Sequence, residues 1–353
     1  MSTEVEKDTQ PEQHKNIPDD AEEIQITITE ATELCQNALQ KAGYLSEQAA
    51  IITDHLVDAE LRGHPFAGLA RALSVIEFLK SAGMKADQEI EVTRTGSTYA
   101  HLDGHDSVGY LVAHQAAKLA IEKAKCAGVS VVGANGLWYT GNLAYYAEMA
   151  TREDLIVFIA SNGTPIVAPY GGYQPKFCTN PFCIGFPTNE PDKPVIWDIG
   201  TSNIMYAQVK LAERLGVPLP KGSANDSGGK PTTDPLQVLN GALTVWGGYK
   251  GSGLAIMVQL LGIAAGSTEP TPFLSDFGFL IMAFDPSILQ SLDRVKQDAE
   301  KLSNSIRSTK MLPGEGPARM PFERSSESRR RTRTKGSFEV PGRVIEQLRS
   351  LGL

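Results

Sequence analysis

Apolar residues recur at helical spacing through the first part of the chain. Thr29 and Ser46 are placed to cap helices over residues 29–43 and 46–63, and a third helix is predicted from about 68 to 82. A glycine ends each of them, as is common at helix C-termini. The pattern therefore predicts a helical unit at the start of the fold.

Beyond residue 88 the pattern changes to alternation and to short apolar runs, which are typical of strands. Strands over residues 89–93 and 98–102 are predicted to form a hairpin around Thr95 and Gly96. A long helix over 108–127 follows. Next come a strand at VSVV (129–132), a helix at AYYAEMA (144–150) and a strand at LIVFIA (155–160). Ligands commonly bind where such strands end, so Tyr139, Ser161 and Asn162 are candidate site residues, although Tyr139 also fits a packing role.

Residues 163–194 are dense in proline, glycine and asparagine and are predicted to contain little regular structure. Long loops of this kind are usually functional. A strand over residues 195–198 follows, and the Gly200-Thr201-Ser202 segment is predicted to open a helix ending at Leu215. Asp198 at the strand end is a candidate to orient a catalytic group, but capping Thr201 and Ser202 is its more ordinary role.

The segment from Trp246 to Gly266 joins a glycine-rich turn to an apolar helix. Its glycines permit close approach of the backbone to a ligand, and Lys250 adds a cation beside the N–H groups that open the helix. This arrangement stabilises an anion. A tight turn leading into a buried helix explains the apolar residues equally well, but it does not explain the lysine.

The last part of the chain is predicted to contain a strand over residues 279–284, a helix over 288–306 and a final helix over about 343–351. Gly314, Glu315 and Gly316 either bring backbone near a ligand or make a turn. The stretch RSSESRRRTRTK (324–335) is locally basic and is interpreted as a solvated segment.

Composition argues against several classes of function but does not identify one. The 353 residues carry a net charge of −8, which argues against broad nucleic-acid binding. No run of about eighteen apolar residues exists to span a bilayer. Residues 1–24 are polar and lack an apolar signal region, so they are predicted to be a disordered tail of a cytoplasmic protein. The four cysteines form no C-x-x-C pair, so neither a disulfide framework nor a metal site is expected.

Common catalytic motifs are missing. Lys250 precedes Gly251 and Ser252 instead of following the last glycine, so the turn is not a Walker A loop. Both G-x-G triplets lack the third glycine of a Rossmann fingerprint. There is no G-x-S-x-G elbow and no H-x-x-x-H metal pair. These absences leave the nucleotide kinase, serine-hydrolase and metallohydrolase classes without local support.

A cluster of cationic residues lies between the second and third predicted helices. The segment RGHPFAGLAR places Arg62, His64 and Arg71 at a helix junction. A substrate anion is one use for them. A polar turn with surface arginines is the more ordinary alternative.

Five ordered segments carry a family resemblance: SNGTPIVAPYGG, TNPFCIGFPT, WDIGTS, GGKPTTDP and GGYKGSGLA. From about Ile28 to the C-terminus, the chain resembles the malate/L-lactate dehydrogenase family of NAD(P)-dependent 2-hydroxyacid oxidoreductases, which is unrelated to the Rossmann-fold enzymes. The resemblance implies an α/β fold with a largely antiparallel central sheet in an NAD(P)-binding domain over 89–285. It also implies a helical domain made from both chain ends, 25–88 with 286–353, and a homodimer with its sites near the interface.

The same resemblance implies the site residues. The family's cofactor-contacting positions match Ser161, Asn162, Asp198, Ile199, Gly200, Tyr249, Lys250, Gly314 and Glu315. Arg71 matches the arginine of the family's S-H-G-x-x-R motif, which resembles a clamp for the cofactor or the substrate carboxylate. The implied cofactor is NAD or NADP, and the implied partner is a small 2-hydroxy or 2-keto acid.

Two departures put the chemistry in question. Phe66 and Ala67 stand where the family has serine and histidine, and Tyr139 stands where it has a second histidine. Tyr139 is the best replacement as proton donor or base, His64 is the second choice, and Asp198 supports either. One hypothesis is therefore an active 2-hydroxyacid dehydrogenase. The other is a catalytically impaired NAD(P)-binding or regulatory module.

Overall fold

The computed structural model describes residues 23–352. Most of the predicted N-terminal tail therefore lies outside the described residues. Its last two residues, 23 and 24, belong to strand β1 (Glu23–Thr27), which pairs in antiparallel fashion with β11 (Ser337–Pro341). The two ends of the described chain are thus joined by backbone hydrogen bonds.

Helices from both chain ends pack together, as the resemblance implied. α1 (Ile28–Lys41), α2 (Ser46–Leu61) and α3 (Leu69–Ala82) contact α10 (Glu323–Lys335) and α11 (Gly342–Gly352). The three N-terminal helices are confirmed, but the predicted cap of the first is wrong. Thr27, not Thr29, accepts a bond from Glu30 N at 3.1 Å, and the Glu30 carboxylate accepts one from Thr27 N at 3.0 Å. This T-x-x-E capping box places Thr29 inside the helix.

A seven-stranded sheet forms the centre of the fold. Its spatial order is β2 (Glu91–Thr95), β3 (Tyr99–Val108), β4 (Val129–Trp138), β10 (Phe277–Phe284), β5 (Ile156–Ser161), β6 (Phe182–Phe186) and β7 (Val195–Ile199). The β3–β4 pair is parallel and is connected by α4 (Gly109–Ala127), whereas every other neighbouring pair is antiparallel. The predicted non-Rossmann, largely antiparallel sheet is therefore confirmed.

Helices cover both faces of this sheet. Val157 and Ile159 of β5 belong to the large core shared with α4 and α5 (Leu143–Thr151), whereas Ala160 packs with Val258 of α8 (Tyr249–Ala264). The alternation follows from the two-residue period of a strand. The large core runs without interruption from the N-terminal helices into the sheet. The proposed domain bounds at residues 88 and 285 stay a prediction.

The remaining elements flank the sheet. α6 (Tyr206–Leu215), α7 (Pro235–Val238) and the short pair β8 (Ala224–Asn225) and β9 (Ala242–Leu243) surround a small separate core. α9 (Leu292–Arg307) is mostly exposed. None of the described helices combines the length and the apolar character needed to cross a bilayer.

One further prediction is wrong, and two hold with local exceptions. Residues 163–194 contain β6, whose apolar run is short and surrounded by loop residues. α6 begins at Tyr206 instead of Gly200, because Thr201 donates both its N–H and its hydroxyl to Thr179 O. The basic stretch 324–335 is part of helix α10, and its Arg329 is buried against α2 and α5 by ion pairs.

Candidate active site

A cavity of about 1420 Å³ lies where the ends of β4, β5 and β7 meet the N-terminal helices and the start of α10. All the predicted catalytic and substrate residues line it. They are His64, Arg71, Tyr139 and Asp198, together with the predicted cofactor residues Ser161, Asn162, Ile199 and Gly200. Segments distant in sequence are thus brought to one cavity.

Asp198 caps a helix, but not the one suggested by its neighbours in sequence. Its Oδ2 accepts a hydrogen bond from Ala144 N at 2.8 Å, at the first turn of α5. The expected cap of Thr201 and Ser202 is therefore wrong. Burial raises the pKa of Asp198 to about 6, although bonds from the N–H groups of Ala144 and Leu143 oppose the shift. Asp198 ties β7 to α5 and so to the loop that carries Tyr139.

Tyr139 and Arg71 form a stacked pair. The Arg71 guanidinium lies over the Tyr139 ring, with Cζ 3.9 Å from the ring centroid. Tyr139 directly follows β4 and has a φ of 56°, which is uncommon for a bulky residue. Burial lowers the pKa of Arg71, but the phenol groups of Tyr139 and Tyr110 raise it, and the net shift is upward. Arg71 is therefore a permanent buried cation in contact with a phenol.

The position of the missing family histidine also faces the cavity. Ala67 closes a short 3-10 turn (Pro65–Ala67) and lines the cavity next to Phe66 and His64. The His64 ring lies 5.9 Å from the Phe66 ring, measured between centroids. Ala67 therefore places a methyl group where the family has an imidazole. The nearest imidazole in the sequence is that of His64, three residues earlier.

Ser161 and Asn162 are bonded to the protein itself. Ser161 Oγ donates to Gly278 O at 3.0 Å, and Asn162 Oδ1 accepts from Gly278 N at 2.6 Å. Asn162 Nδ2 donates to Ser267 Oγ at 2.8 Å. These bonds hold the β5 end against β10, so the two residues form a rigid wall of the cavity.

Gly200 connects the cavity wall to the glycine-rich turn. Its carbonyl accepts a hydrogen bond from Trp246 Nε1 at 2.6 Å. Gly247 and Gly248 have φ values of 58° and 59°, and a Cβ on Gly251 would lie 2.0 Å from Trp246 O. The turn therefore requires its glycines for geometric reasons. Trp246 and Gly247 line the cavity.

Four predicted cofactor residues do not line the cavity. Tyr249 and Lys250 begin α8 with exposed side chains, and Tyr249 is 69% exposed. Gly314 and Glu315 lie on an exposed turn, with Glu315 N donating to Leu312 O. Their contact with a cofactor stays a prediction.

Sequence reasoning missed an ion-pair network under the cavity. Arg62 donates to Asp58 Oδ2 at 2.5 Å and to Glu148 Oε2 at 2.6 Å, and Arg329 donates to both of the same carboxylates. Arg62 and Arg71 are both buried, so the interpretation as surface arginines is wrong. The i, i+4 spacing of Asp58 and Arg62 on α2 was the available signal for the first pair.

Sequence reasoning also missed His55 of α2. Its Nε2 accepts a hydrogen bond from Asn142 N at 3.0 Å, and burial lowers its pKa to about 3. The neutral ring contacts Tyr110 edge to face, with centroids 4.8 Å apart. His55 and Asp198 thus bind successive N–H groups at the start of α5, and the histidine gave no local sequence signal.

The cavity suits an anionic ligand and has room for a nicotinamide dinucleotide. Lining cations are Arg62, Arg71, Lys221, Arg319 and Arg324, whereas the lining carboxylates are Asp58 and Asp198. Its volume exceeds the roughly 300–1,000 Å³ of ordinary ligand pockets, which leaves space for an acid beside a cofactor. Arg71 Nη1 is buried without a hydrogen-bond partner among the described residues, as expected for a donor that serves a ligand.

Comparisons with known proteins agree with this architecture. The sequence model of the malate/L-lactate dehydrogenase family matches residues 26–349. The malate/(S)-sulfolactate dehydrogenase of Methanothermus fervidus is 31% identical over 339 residues, covering 92% of this chain and 96% of that protein. The (2R)-3-sulfolactate dehydrogenase (NADP(+)) of Chromohalobacter salexigens is also 31% identical, over 335 residues, covering 92% and 97%.

Solved structures give the same result. The malate dehydrogenase of Entamoeba histolytica aligns with a TM-score of 0.86 at 26% identity, covering 94% of this chain and 97% of that one. The sulfolactate dehydrogenase of Methanocaldococcus jannaschii aligns with a TM-score of 0.81 at 28% identity, covering 93% and 96%. The chain belongs to the malate/L-lactate dehydrogenase family of NAD(P)-dependent 2-hydroxyacid oxidoreductases.

Proposed function

We propose that this protein reduces a small 2-keto acid, or oxidises the matching 2-hydroxy acid, in the cavity between Arg71 and Asp198. The observation that carries the proposal is the stacked Arg71–Tyr139 pair, because it places a carboxylate-binding cation and a proton-bearing hydroxyl side by side. When bound, a nicotinamide cofactor supplies or accepts the hydride.

Three side chains have separate roles in binding and proton transfer. Arg71 holds the substrate carboxylate through its unpaired Nη1, and guanidinium geometry suits two parallel bonds to that group. In the reduction, Tyr139 donates its hydroxyl proton to the oxygen on C2 of the acid, and in the oxidation its oxygen receives that proton. Asp198 acts as a positioning residue through its cap on α5.

The cofactor would lie along the wall formed by Ser161, Asn162 and the 198–200 segment. Lys250 would bind its phosphate groups from the start of α8, and Gly314 with Glu315 would approach from the exposed turn. Gly247 supports this placement, because its positive φ brings bare backbone to the cavity surface. Both NAD and NADP are candidates, and a cytoplasmic location stays a prediction from sequence.

The direct test mixes the protein with NADH or NADPH and a panel of 2-keto acids while the absorbance of the reduced cofactor is followed. Turnover with at least one acid is expected. In Tyr139→Phe, which keeps the ring under Arg71, kcat should fall about 10²- to 10⁴-fold. Tyr206→Phe, in another element of the same cavity, is the matched control and should stay within about threefold. Unchanged turnover in Tyr139→Phe would remove Tyr139 as the proton donor and leave His64 as the next candidate.

The alternative of a regulatory NAD(P)-binding module gains no support from the relatives, which are named as dehydrogenases. Fluorescence titration with NADH and NADPH separates the two. Binding without turnover on any acid would favour the module, and absence of binding would defeat both.

We also infer a homodimer, supported by an uncovered apolar face on α8. Ile256, Met257 and Leu260 are 44%, 53% and 53% exposed on this face. Apolar side chains grouped on one surface commonly mark an interface between subunits. Light scattering should give about twice the chain mass, and Met257→Lys should give a monomer. The control Leu302→Lys, on the exposed α9, should leave the mass unchanged.

A further inference from the structure

A buried carboxyl group lies beside the junction that leads to Arg71. Glu60, near the end of α2, is 7% exposed, and its Oε1 accepts a hydrogen bond from Leu69 N at 2.7 Å. Leu69 is the first residue of α3. Glutamate is almost never buried unless a cation pairs with it. Glu60 is instead bonded to a backbone N–H group, so its place in the fold needs an explanation other than an ion pair.

Glu60 takes the place of the missing N-cap side chain of α3. The residue before this helix is Gly68, which has no side chain to bind the N–H groups of the first turn. A Cβ on Gly68 would lie 2.2 Å from Glu60 Oε1, so the glycine leaves open the space that the carboxyl group occupies. A side chain of α2 therefore caps α3.

The capped turn carries two residues of the cavity wall. Arg71 is the third residue of α3, and its N–H donates to Gly68 O at 2.8 Å. Ala67, at the end of the 3-10 turn, directly precedes Gly68. Ala67 and Arg71 line the cavity, whereas Glu60 lies behind them and is not part of the lining. Glu60 therefore fixes the start of α3 without contact with a ligand.

The position of Arg71 depends on the backbone of this turn. Arg62 is held by ion pairs with Asp58 and Glu148, but Arg71 forms no ion pair among the described residues. Its guanidinium rests on the Tyr139 ring, which leaves it free to slide with the helix. A misplacement of about 1 Å in a site can cost about 10²-fold in rate. A shift of the first turn of α3 would therefore be felt at the substrate carboxylate.

We propose that Glu60 is a positioning residue for the acid substrate, because its bond to Leu69 N sets where α3 begins and so where Arg71 lies. This inference rests on the proposed function, in which Arg71 binds the substrate carboxylate.

The protonation state of Glu60 permits a close substitution. Burial raises the pKa of Glu60 to about 8, although the bond from Leu69 N opposes the shift. The carboxyl group is therefore mostly neutral at pH 7. Glutamine has the same shape, is neutral and keeps an oxygen that accepts a hydrogen bond. Methionine has a similar length but lacks that oxygen.

The first experiment measures steady-state kinetics at pH 7 with the acid that the wild type turns over best. In Glu60→Met the KM for the acid should rise about 10- to 100-fold, while the KM for the cofactor stays within about threefold. Glu60→Gln should stay within about threefold for both. The matched control is Glu30→Met, which removes the carboxylate that caps α1 through Thr27 N and should leave both KM values within about threefold.

The opposite results are equally informative. An unchanged KM for the acid in Glu60→Met would overturn the proposal, and so would an equal rise in the KM for the cofactor. Glu60→Gln that is as impaired as Glu60→Met would also contradict it. If Glu60→Met fails to fold, as judged by circular dichroism, Gly68→Ala replaces it, because the new Cβ displaces the carboxyl group. An unchanged KM for the acid in Gly68→Ala then contradicts the proposal.

If the wild type turns over no acid, the proposed function fails, and amide hydrogen exchange decides the role of Glu60 separately. Peptides covering residues 65–75 should exchange faster in Glu60→Met than in the wild type, whereas Glu60→Gln should match the wild type. Equal exchange in all three proteins would overturn the role of Glu60.

Discussion

Replacing Asp198 by asparagine tests whether its charge costs stability while its oxygen holds α5. The carboxylate accepts from Ala144 N at 2.8 Å, and an asparagine Oδ1 can accept the same bond. Asparagine is also among the best N-cap residues. The substitution therefore removes the charge and keeps the cap.

The pKa of Asp198 sets the size and the sign of the effect. Burial raises that pKa from 3.8 to about 6, so the folded state binds a proton more readily than the unfolded state does between these values. Wild-type stability therefore decreases as the pH rises from about 4 to about 6. A shift of about two units corresponds to about 3 kcal/mol, and because the side chain is partly exposed we expect about 1–2 kcal/mol after solvent screening.

Urea unfolding followed by circular dichroism at pH 4 and pH 8 measures this difference. Asp198→Asn should match the wild type at pH 4 and exceed its free energy of unfolding by about 1–2 kcal/mol at pH 8. Asp198→Ala loses the acceptor and should be about 1 kcal/mol less stable than Asp198→Asn at both pH values. A gain for Asp198→Asn that is the same at both pH values would refute the role of the charge, and a loss at pH 8 would refute the whole argument.

Three further outcomes are expected. Gly141→Ala should cost more than 2 kcal/mol of unfolding free energy in urea, because φ is 69° and the new Cβ would lie 2.4 Å from two ring atoms, whereas Gly171→Ala at φ 82° in open space should cost about 1 kcal/mol. Glu148→Gln should destabilise by about 3–5 kcal/mol, because it leaves two buried arginines with one carboxylate. The exposed Glu327→Gln is the control and should leave the free energy of unfolding unchanged within error. Lys250→Gln should weaken NADH binding several-fold in a fluorescence titration, and unchanged affinity would exclude a phosphate contact.

Periodicity predicted the helices well because their apolar spacing and terminal glycines are local features. The three N-terminal helices and α4 agree with their predicted bounds to within about two residues. Periodicity did not predict β6, which is an apolar run of five residues within a long loop region. Only its pairing with β5 and β7 defines this run as a strand. Local patterns carry no information on such pairing.

The site residues show the same difference between local and long-range information. Arg71, Tyr139 and Asp198 were found because a family motif or a strand end marked them, and they line one cavity. His55 was missed because its partner, Asn142 N, lies 87 residues away in sequence. Asp198 was found, but its cap was assigned to adjacent residues, since its true partner at α5 is 54 residues earlier. The sequence therefore identified residues that line the cavity, but it did not identify their hydrogen-bond partners.

These contacts describe the surroundings of Ala67 and Tyr139, which stand where the family has histidines. With alanine at position 67, Tyr139 is a proton-bearing side chain stacked against Arg71, and the Tyr139 loop is held by side chains that bind the start of α5. Burial lowers the pKa of His55 to about 3, so the ring is neutral near pH 6 and its bond to Asn142 N does not change there. Asp198 is the member of this pair that titrates near pH 6. Of His55 and Asp198, only Asp198 should therefore make the Tyr139 loop respond to pH near 6. Asp198→Asn should remove an inflection near pH 6 from the pH profile of kcat, whereas Tyr139→Phe should lower kcat at every pH.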